Sequence, residues 1–399
     1  MKPKFYRKVL KNGMTIIFEK RENPVVSVAF AVRYGGINEA SHEKGISHFI
    51  EHLLYKGTPI RNSRQIAEEI ERKGGLLNGF TDETVTAYWC KIPSRHLDIA
   101  LDVLGDMVKN PLFDEEELEK EKKVIFEEIK MGKDNPSNHS FKEIQRLLYK
   151  EPLGSPLIGT EKTLKSLTRK KILERFQGVY GPNNMILCVV GDADFKDIVD
   201  FAEKNFSGKK EIAFKHKIVK RNGSKIEKRK GIDQANLILA YHFPTSDKKI
   251  SHAANVLNVL MAGGMSSRLF HEIREKRNLA YAIKGESVIL RNFSYGLVYA
   301  GTKKENVQLI KKIILDEFRK VSKELDEKEL NQVKEQMIGN YQISMEDSQN
   351  QMVNLLMHEI DRNAEDAYEF EKNIRNVKLR DVKNLAKIKK YSFFALVPK

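Results

Sequence analysis

His48, Glu51 and His52 lie in the run GISHFIEHLLYKGT, spaced i, i+3 and i+4. In a helix turning about 100° per residue, that spacing puts all three on one face. Two imidazoles and a carboxylate so placed could hold a divalent metal. An amphipathic helix with its polar stripe in water would show the same pattern. Two histidines alone leave a catalytic ion short, because zinc normally takes three protein ligands and a water. The segment ELEKEKKVIFEEI offers a third, with Glu121, Val124, Ile125 and Glu128 at i, i+3, i+4 and i+7, so that two acids share a stripe with apolar residues. Carboxylates are seldom placed on a buried stripe without a cation or donor to compensate them. Glu127 competes for the ligand role but points about 100° away from that stripe, which leaves Glu128 as the better candidate.

The elements that must position these groups follow from periodicity. In the first half, MTIIFEK and VVSVAFAVRYG read as strands. The HFIEH helix, the helix SRQIAEEIERKG, strands through LNGFTDETVTAYWCKIP, paired helices and a closing strand MILCVVGD come next. The second half runs ANLILAYHFP, helices ISHAANVLNVLMAG and SSRLFHEIREKR, strands through LAYAIKGESVILRNFSYGLVYAGT, more helices and a closing strand YSFFALVP. Strands and helices are grouped rather than alternating, which predicts an α+β class. The expected architecture is two homologous domains, each a mixed or antiparallel sheet with helices packed mainly on one face. At 399 residues the chain is too long for one typical core. The basic run KKEIAFKHKIVKRNGSKIEKRKG carries the turn signal NGS and reads as an interdomain linker over 211–231, between domains at 1–210 and 232–399.

The halves resemble each other. At a constant offset of 212, Asp114, Glu117 and Leu118 fall on Asp326, Glu329 and Leu330, and Leu167 and Leu173 fall on Leu379 and Leu385. A shared offset in two segments argues for duplication. The copies differ where chemistry is suspected: Glu121 and Glu128 correspond to Val333 and Asn340, and the second half has no HxxEH.

Composition removes several function classes. A net charge of +15 could mark a nucleic-acid binder. The lysines, however, are interleaved with glutamates as on solvated helix faces, so no nucleic-acid partner is expected. No stretch approaches the roughly 18 apolar residues of a membrane span, and the N-terminus lacks a secretory pattern, so a cytoplasmic protein without a membrane partner is expected. Cys90 and Cys188 sit in apolar strands without CxxC spacing, so a metal here would be held by nitrogen and oxygen. AGGMSS lacks the lysine of a phosphate loop.

HFIEH, followed by Glu128 at 76 positions after His52, resembles the inverted-zincin peptidases of the pitrilysin and insulysin type, family M16. The resemblance is to the short two-domain M16B branch that includes mitochondrial processing peptidase. GGLLNGFTDETVTAYW is similar to the family segment LNAFTxxxxTxYY through Asn78, Thr81, Thr86 and Tyr88, with Gly79 in place of the usual alanine. GGMSSRLFHEIREKRNLAYAI resembles the stretch in which an arginine precedes a tyrosine by seven positions, here Arg274 and Tyr281.

This resemblance implies a LuxS/MPP-like metallohydrolase fold and a zinc-dependent endopeptidase. One Zn²⁺ per chain would be held by His48, His52 and Glu128, with Glu51 activating a zinc-bound water. Glu121 would orient a ligand or assist proton transfer, and Arg274 and Tyr281 would come from the second domain to stabilise an oxyanion or hold the substrate backbone. Asn78, Gly79, Phe80 and Thr81 would form an edge to which an extended peptide adds. It further implies a chamber that admits unfolded peptides, closed by association in pairs. A homodimer is expected, because both residue sets occur on one chain. The alternatives are a catalytic subunit that needs an inactive paralogue as heterodimer partner, and a non-catalytic structural subunit.

Overall fold

In the segment Val25–Val32, Val26, Val28, Phe30 and Val32 point into one hydrophobic core while Ser27, Ala29 and Ala31 face the opposite side. Both rows are fully buried, so this strand is covered on two faces. The computed structural model, which describes residues 4–208, 217–244 and 248–399, shows how. Eight strands precede the basic run: β1 (Lys4–Val9), β2 (Thr15–Lys20), β3 (Val25–Val32), β4 (Gly57–Thr58), β5 (Arg61–Asn62), β6 (Leu76–Thr81), β7 (Thr86–Pro93) and β8 (Met185–Gly191). Apart from the short β4–β5 hairpin they form one sheet in the order β1-β2-β8-β3-β7-β6, in which only β2 and β8 are parallel.

The remaining strands are β9 (Ser224–Arg229), β10 (Ala235–His242), β11 (Ala280–Ile289), β12 (Ser294–Thr302) and β13 (Ser392–Pro398). They build a second sheet in the order β11-β12-β10-β13-β9, again with one parallel pair, β13 with β9. Matched strand for strand, β6, β7, β3, β8 and β2 have the neighbours and directions of β11, β12, β10, β13 and β9. The second sheet therefore repeats the first without β1, as the offset in the sequence predicts.

Helix α1 (Ile46–Leu54) lies against β6 and β7, α2 (Ser63–Glu71) against β6, and α3 (Leu97–Lys109) against β3 and β7. Helices α4 (Glu115–Asp134) and α5 (Pro136–Leu148) follow. The two compact units are not the two halves of the sequence. One comprises residues 1–129, 155–217 and 344–367; the other comprises 130–154, 218–343 and 368–399. This corrects the linear division at 210 and 232. Helix α5 leaves the first half to pack on β10 and β13, and the helix Ser348–Asp361 leaves the second half to pack on β3 and β8. Their positions differ by the same offset of 212, so the duplicated copies have exchanged equivalent helices.

The proposed linker is also corrected. Its residues 211–216 lie outside the described ones, but 218–231 belong to the second unit and contain β9. This strand is lysine-rich because it lies at the sheet edge, where charged side chains remain in water. The expected helix SSRLFHEIREKR is a π-helix over Phe270–Glu275. No described helix is long and apolar enough to cross a membrane, and both cysteines are buried free thiols.

The exchanged helix Ser348–Asp361 docks on the small-residue face of β3 through polar contacts. Ser27 and Ser348 share a hydrogen bond of 2.9 Å, and Gln351 donates to Glu19 at 2.5 Å. Glu359 is buried and accepts from Arg7 at 2.8 and 2.9 Å and from Arg33 at 3.0 Å. Burial raises the pKa of Glu359, but the hydrogen bonds and charges of the arginines outweigh it and hold the carboxyl below its ordinary value. A carboxylate with a depressed folded pKa stabilises fully above the unfolded-chain value and loses that contribution as pH falls through the folded one. Glu359→Ala is therefore expected to lower stability by about 2–3 kcal/mol near neutral pH. The gap from wild type should narrow below about pH 4, as followed by urea unfolding across pH.

Candidate metal centre

Ile46, Phe49, Ile50, Leu53 and Leu54 put α1 into the core of the first unit, and that burial fixes the opposite face outward. The helix begins at Gly45, whose φ of 97° suits glycine. Glu39, fully buried, accepts from the backbone N–H of Gly45 at 3.0 Å and of Ser47 at 2.7 Å. A carboxylate there satisfies two of the free N–H groups and complements the positive end of the helix dipole. Lys44, buried beside Glu39 at 3.5 Å and Glu83 at 3.8 Å, donates to the Gly36 carbonyl at 2.7 Å and supplies the counter-charge. The start of the helix is thereby fixed.

Helix α4 buries Leu118, Glu121, Lys122 and Ile125. Val124, placed on the apolar stripe by the sequence reading, is instead 44% exposed, and Glu127 is exposed. Glu128 is half-buried and faces α1. Its carboxylate oxygens lie 3.8 Å from His48 Nε2 and 3.7 Å from His52 Nε2. One ligand atom from each of the three residues falls within 4.8 Å of the other two, and no other such group occurs among the described residues.

These separations fit a small cation. Ligands about 2.1 Å from a tetrahedral zinc stand roughly 3.4 Å apart, and the two carboxylate–imidazole separations exceed that by only a few tenths of an ångström. The donor chemistry fits as well. His52 Nδ1 is 3.0 Å from Glu121 Oε2, and because a carboxylate only accepts, this nitrogen carries the proton and leaves the Nε2 lone pair for a metal. Glu121 Oε1 accepts from Lys56 Nζ at 2.6 Å, which balances a carboxylate that is 7% exposed.

Glu51 lies on the same face of α1, and its Oε2 accepts from Thr81 Oγ1 at 2.5 Å. Burial raises its pKa above the ordinary value. The Thr81 hydrogen bond and His52 oppose that rise, and Glu128 adds to it.

Thr81 ends β6, which lies at the sheet edge and pairs on one side with β7. Asn78 is exposed on that strand, its Oδ1 accepting from Gly79 N at 2.8 Å, while Gly79 and Phe80 are half-buried. Arg274 and Tyr281 belong to the second unit. Arg274 lies in the last turn of the π-helix, its guanidinium 4.9 Å from the Phe270 ring centre. Tyr281 occupies the bulge between Ala280 and Ala282 and is 55% exposed; a bulge turns its residue out of the ladder.

Two supporting groups, Lys56 and Glu39, were not singled out by the sequence reading, and Thr81 was assigned to the substrate edge rather than to Glu51. Lys56 follows His52 by four residues, so helical spacing could have found it. The bond from Thr81 to Glu51 depends on a tertiary contact that spacing does not reveal.

Comparison with known proteins bears on this geometry. Residues 15–161 match the family model for insulinase, peptidase family M16, and residues 166–337 match that for the peptidase M16 inactive domain. A Rickettsia felis protein described as an uncharacterized zinc protease is 34% identical over 350 residues, covering 87% of this chain and 85% of its own length. An uncharacterized zinc protease of Bacillus subtilis is 34% identical over 355 residues, covering 87% and 86%. A crystal structure of a protease from Helicobacter pylori matches with a TM-score of 0.91 at 25% identity, over 99% of this chain and 100% of that one. The Pseudomonas fluorescens structure described as a peptidase M16 inactive domain matches in fold, with a TM-score of 0.90 at 19% identity over 99% and 98% of the two chains. With relatives called zinc proteases over most of its length and both family models matched in order, the chain belongs to the M16 peptidase family.

Proposed function

We propose that the protein is a zinc-dependent endopeptidase that hydrolyses unstructured peptides. The observation that carries this reading is the convergence of His48, His52 and Glu128 from two helices, with the Glu51 carboxylate on the same helix face as the histidines. One Zn²⁺ per chain, held by those three side chains, would supply Lewis-acid polarisation of water and of the scissile carbonyl. Glu51 takes a proton from the attacking water and returns it to the leaving amine nitrogen. Burial raises its pKa above the ordinary carboxylate value, the direction that favours taking up a proton. Thr81 fixes the orientation of the carboxylate.

Glu121 keeps His52 in the tautomer that presents Nε2, and Lys56 holds Glu121 in place. An extended substrate would add to the free edge of β6 and pair with its backbone, a mode that gives affinity with little demand on sequence. In that reading Asn78, Gly79, Phe80 and Thr81 line the substrate. Arg274 and Tyr281 are exposed donors on the second unit, groups suited to binding the carbonyl oxygens of an extended peptide. Both residue sets on one chain favour a homodimer of self-sufficient subunits over a complex with an inactive paralogue.

Glu51→Gln is expected to retain one zinc per chain by elemental analysis while kcat on a fluorogenic unstructured peptide falls at least about 10²–10⁴-fold. Equal cleavage by both proteins would remove Glu51 from the chemistry. Glu121→Gln is expected to weaken zinc binding about 10–100-fold in chelator competition, a measurement independent of activity. Unchanged affinity would reduce Glu121 to a structural acid.

A further inference from the structure

Gly79 is the position at which this chain departs from the alanine of the family segment, and its surroundings explain what fills the space. An ideal Cβ on residue 79 would lie 2.6 Å from Tyr55 Oη, 2.9 Å from the Ala87 carbonyl oxygen and 3.2 Å from Glu51 Oε1. A carbon at 2.6 Å from an oxygen is well inside van der Waals contact. The Tyr55 hydroxyl thus stands where a side chain at 79 would be, and it borders the same small space as the Glu51 oxygen that Thr81 does not hold.

Tyr55 caps the C-terminus of α1 and follows Glu51 by four residues, which puts it on the same helix face. Its ring lies 6.1 Å from that of Tyr88, which is itself fully buried and hydrogen-bonded to Tyr180 at 2.7 Å. The packing fixes where the Tyr55 hydroxyl points. That oxygen is buried and meets no hydrogen-bond partner among the described residues. A phenylalanine would fill the site without stranding a polar group, so a hydroxyl retained here calls for a purpose beyond packing. A phenol offers one donor, and the neighbouring carboxylate oxygen can only accept.

Resting on the peptidase reading above, we propose that Tyr55 is a positioning residue for Glu51. Admitted by the absence of a side chain at Gly79, its hydroxyl donates to Glu51 Oε1 when substrate engages the site. The general base is then held through both oxygens, by Thr81 on one and Tyr55 on the other. Residues 55 and 79 form a pair, since any side chain at 79 displaces the hydroxyl.

The test uses the zinc-loaded full-length protein, an unstructured fluorogenic peptide, and the variants Tyr55→Phe, Gly79→Ala and the double substitution. Tyr55→Phe is expected to lower kcat roughly tenfold, with KM within about twofold, zinc affinity unchanged in chelator competition, and Tm equal to or above that of wild type. Gly79→Ala is expected to lose at least as much kcat, and adding Tyr55→Phe to it should cost nothing further, because the hydroxyl is already displaced. Full kcat in Tyr55→Phe, or losses that multiply in the double variant, would overturn the pairing. A fall in Tm that accounts for the lost activity of Tyr55→Phe would overturn it as well, by making the hydroxyl structural. Wild-type protein that carries zinc and cleaves no peptide would overturn the peptidase reading and this proposal with it. Cleavage by wild type with Tyr55→Phe unaffected would overturn this proposal alone.

Discussion

The hydrogen bond between His52 Nδ1 and Glu121 Oε2 joins two helices across 69 residues of sequence, and the centre depends on it. It sets the tautomer of His52 and the register of α4 against α1. With Glu121 opposite His52, the residue two turns further along α4, Glu128, arrives opposite both His48 and His52. The burial of Leu118 and Ile125 on α4 and of Phe49, Ile50 and Leu53 on α1 supplies the driving force. The polar contacts decide which turn meets which. Glu39 at one end of α1 and the hairpin at the other close the frame. In that hairpin Arg61 pairs with Asp106 at 2.9 Å and with Asp102 and Glu69.

The duplication shows what is structural and what is chemical in this arrangement. Both sheets have the same strand order and the same single parallel pair, so the strands, turns and core-facing helices suffice to build the fold twice. The second copy carries Val333 and Asn340 where the first has Glu121 and Glu128. Val333 is buried in the second core, as expected once the position no longer needs a charge. The exchanged helices bind each half of the sequence to the sheet of the other. For the first sheet this leaves its second face closed by buried Met352, Leu355 and Leu356 together with serine, glutamine and paired charges.

Much of this was legible in the sequence because periodicity reports which face of an element is apolar. The shared face of His48, Glu51 and His52 on α1, the alternation in β3 and the offset between halves are local patterns, and the structure contains each of them. Periodicity does not say which sheet an apolar face will cover. Hence α5 and Ser348–Asp361 were assigned to their own halves, although each packs on the other sheet. Strand β9 has no apolar alternation to detect. It is held by backbone pairing with β13, and its lysines read as linker. Val124 fell on the predicted stripe but lies at its outer edge, where the face of α4 turns toward solvent. The Thr81 bond to Glu51 spans 30 residues of sequence, and the place of the Tyr55 hydroxyl beside Gly79 likewise arises only in the folded chain, so no spacing rule identifies them.

If the two imidazole Nε2 atoms and the carboxylate form a zinc site, anomalous diffraction at the zinc edge from crystals of the metal-loaded protein will locate the ion among them. One peak per chain is expected, bounded by Nε2 of His48, Nε2 of His52 and the carboxylate of Glu128, with Glu121 bonded to His52 Nδ1 rather than to the metal. A peak elsewhere, coordination through His52 Nδ1, or no peak in folded protein supplied with zinc would contradict that assignment.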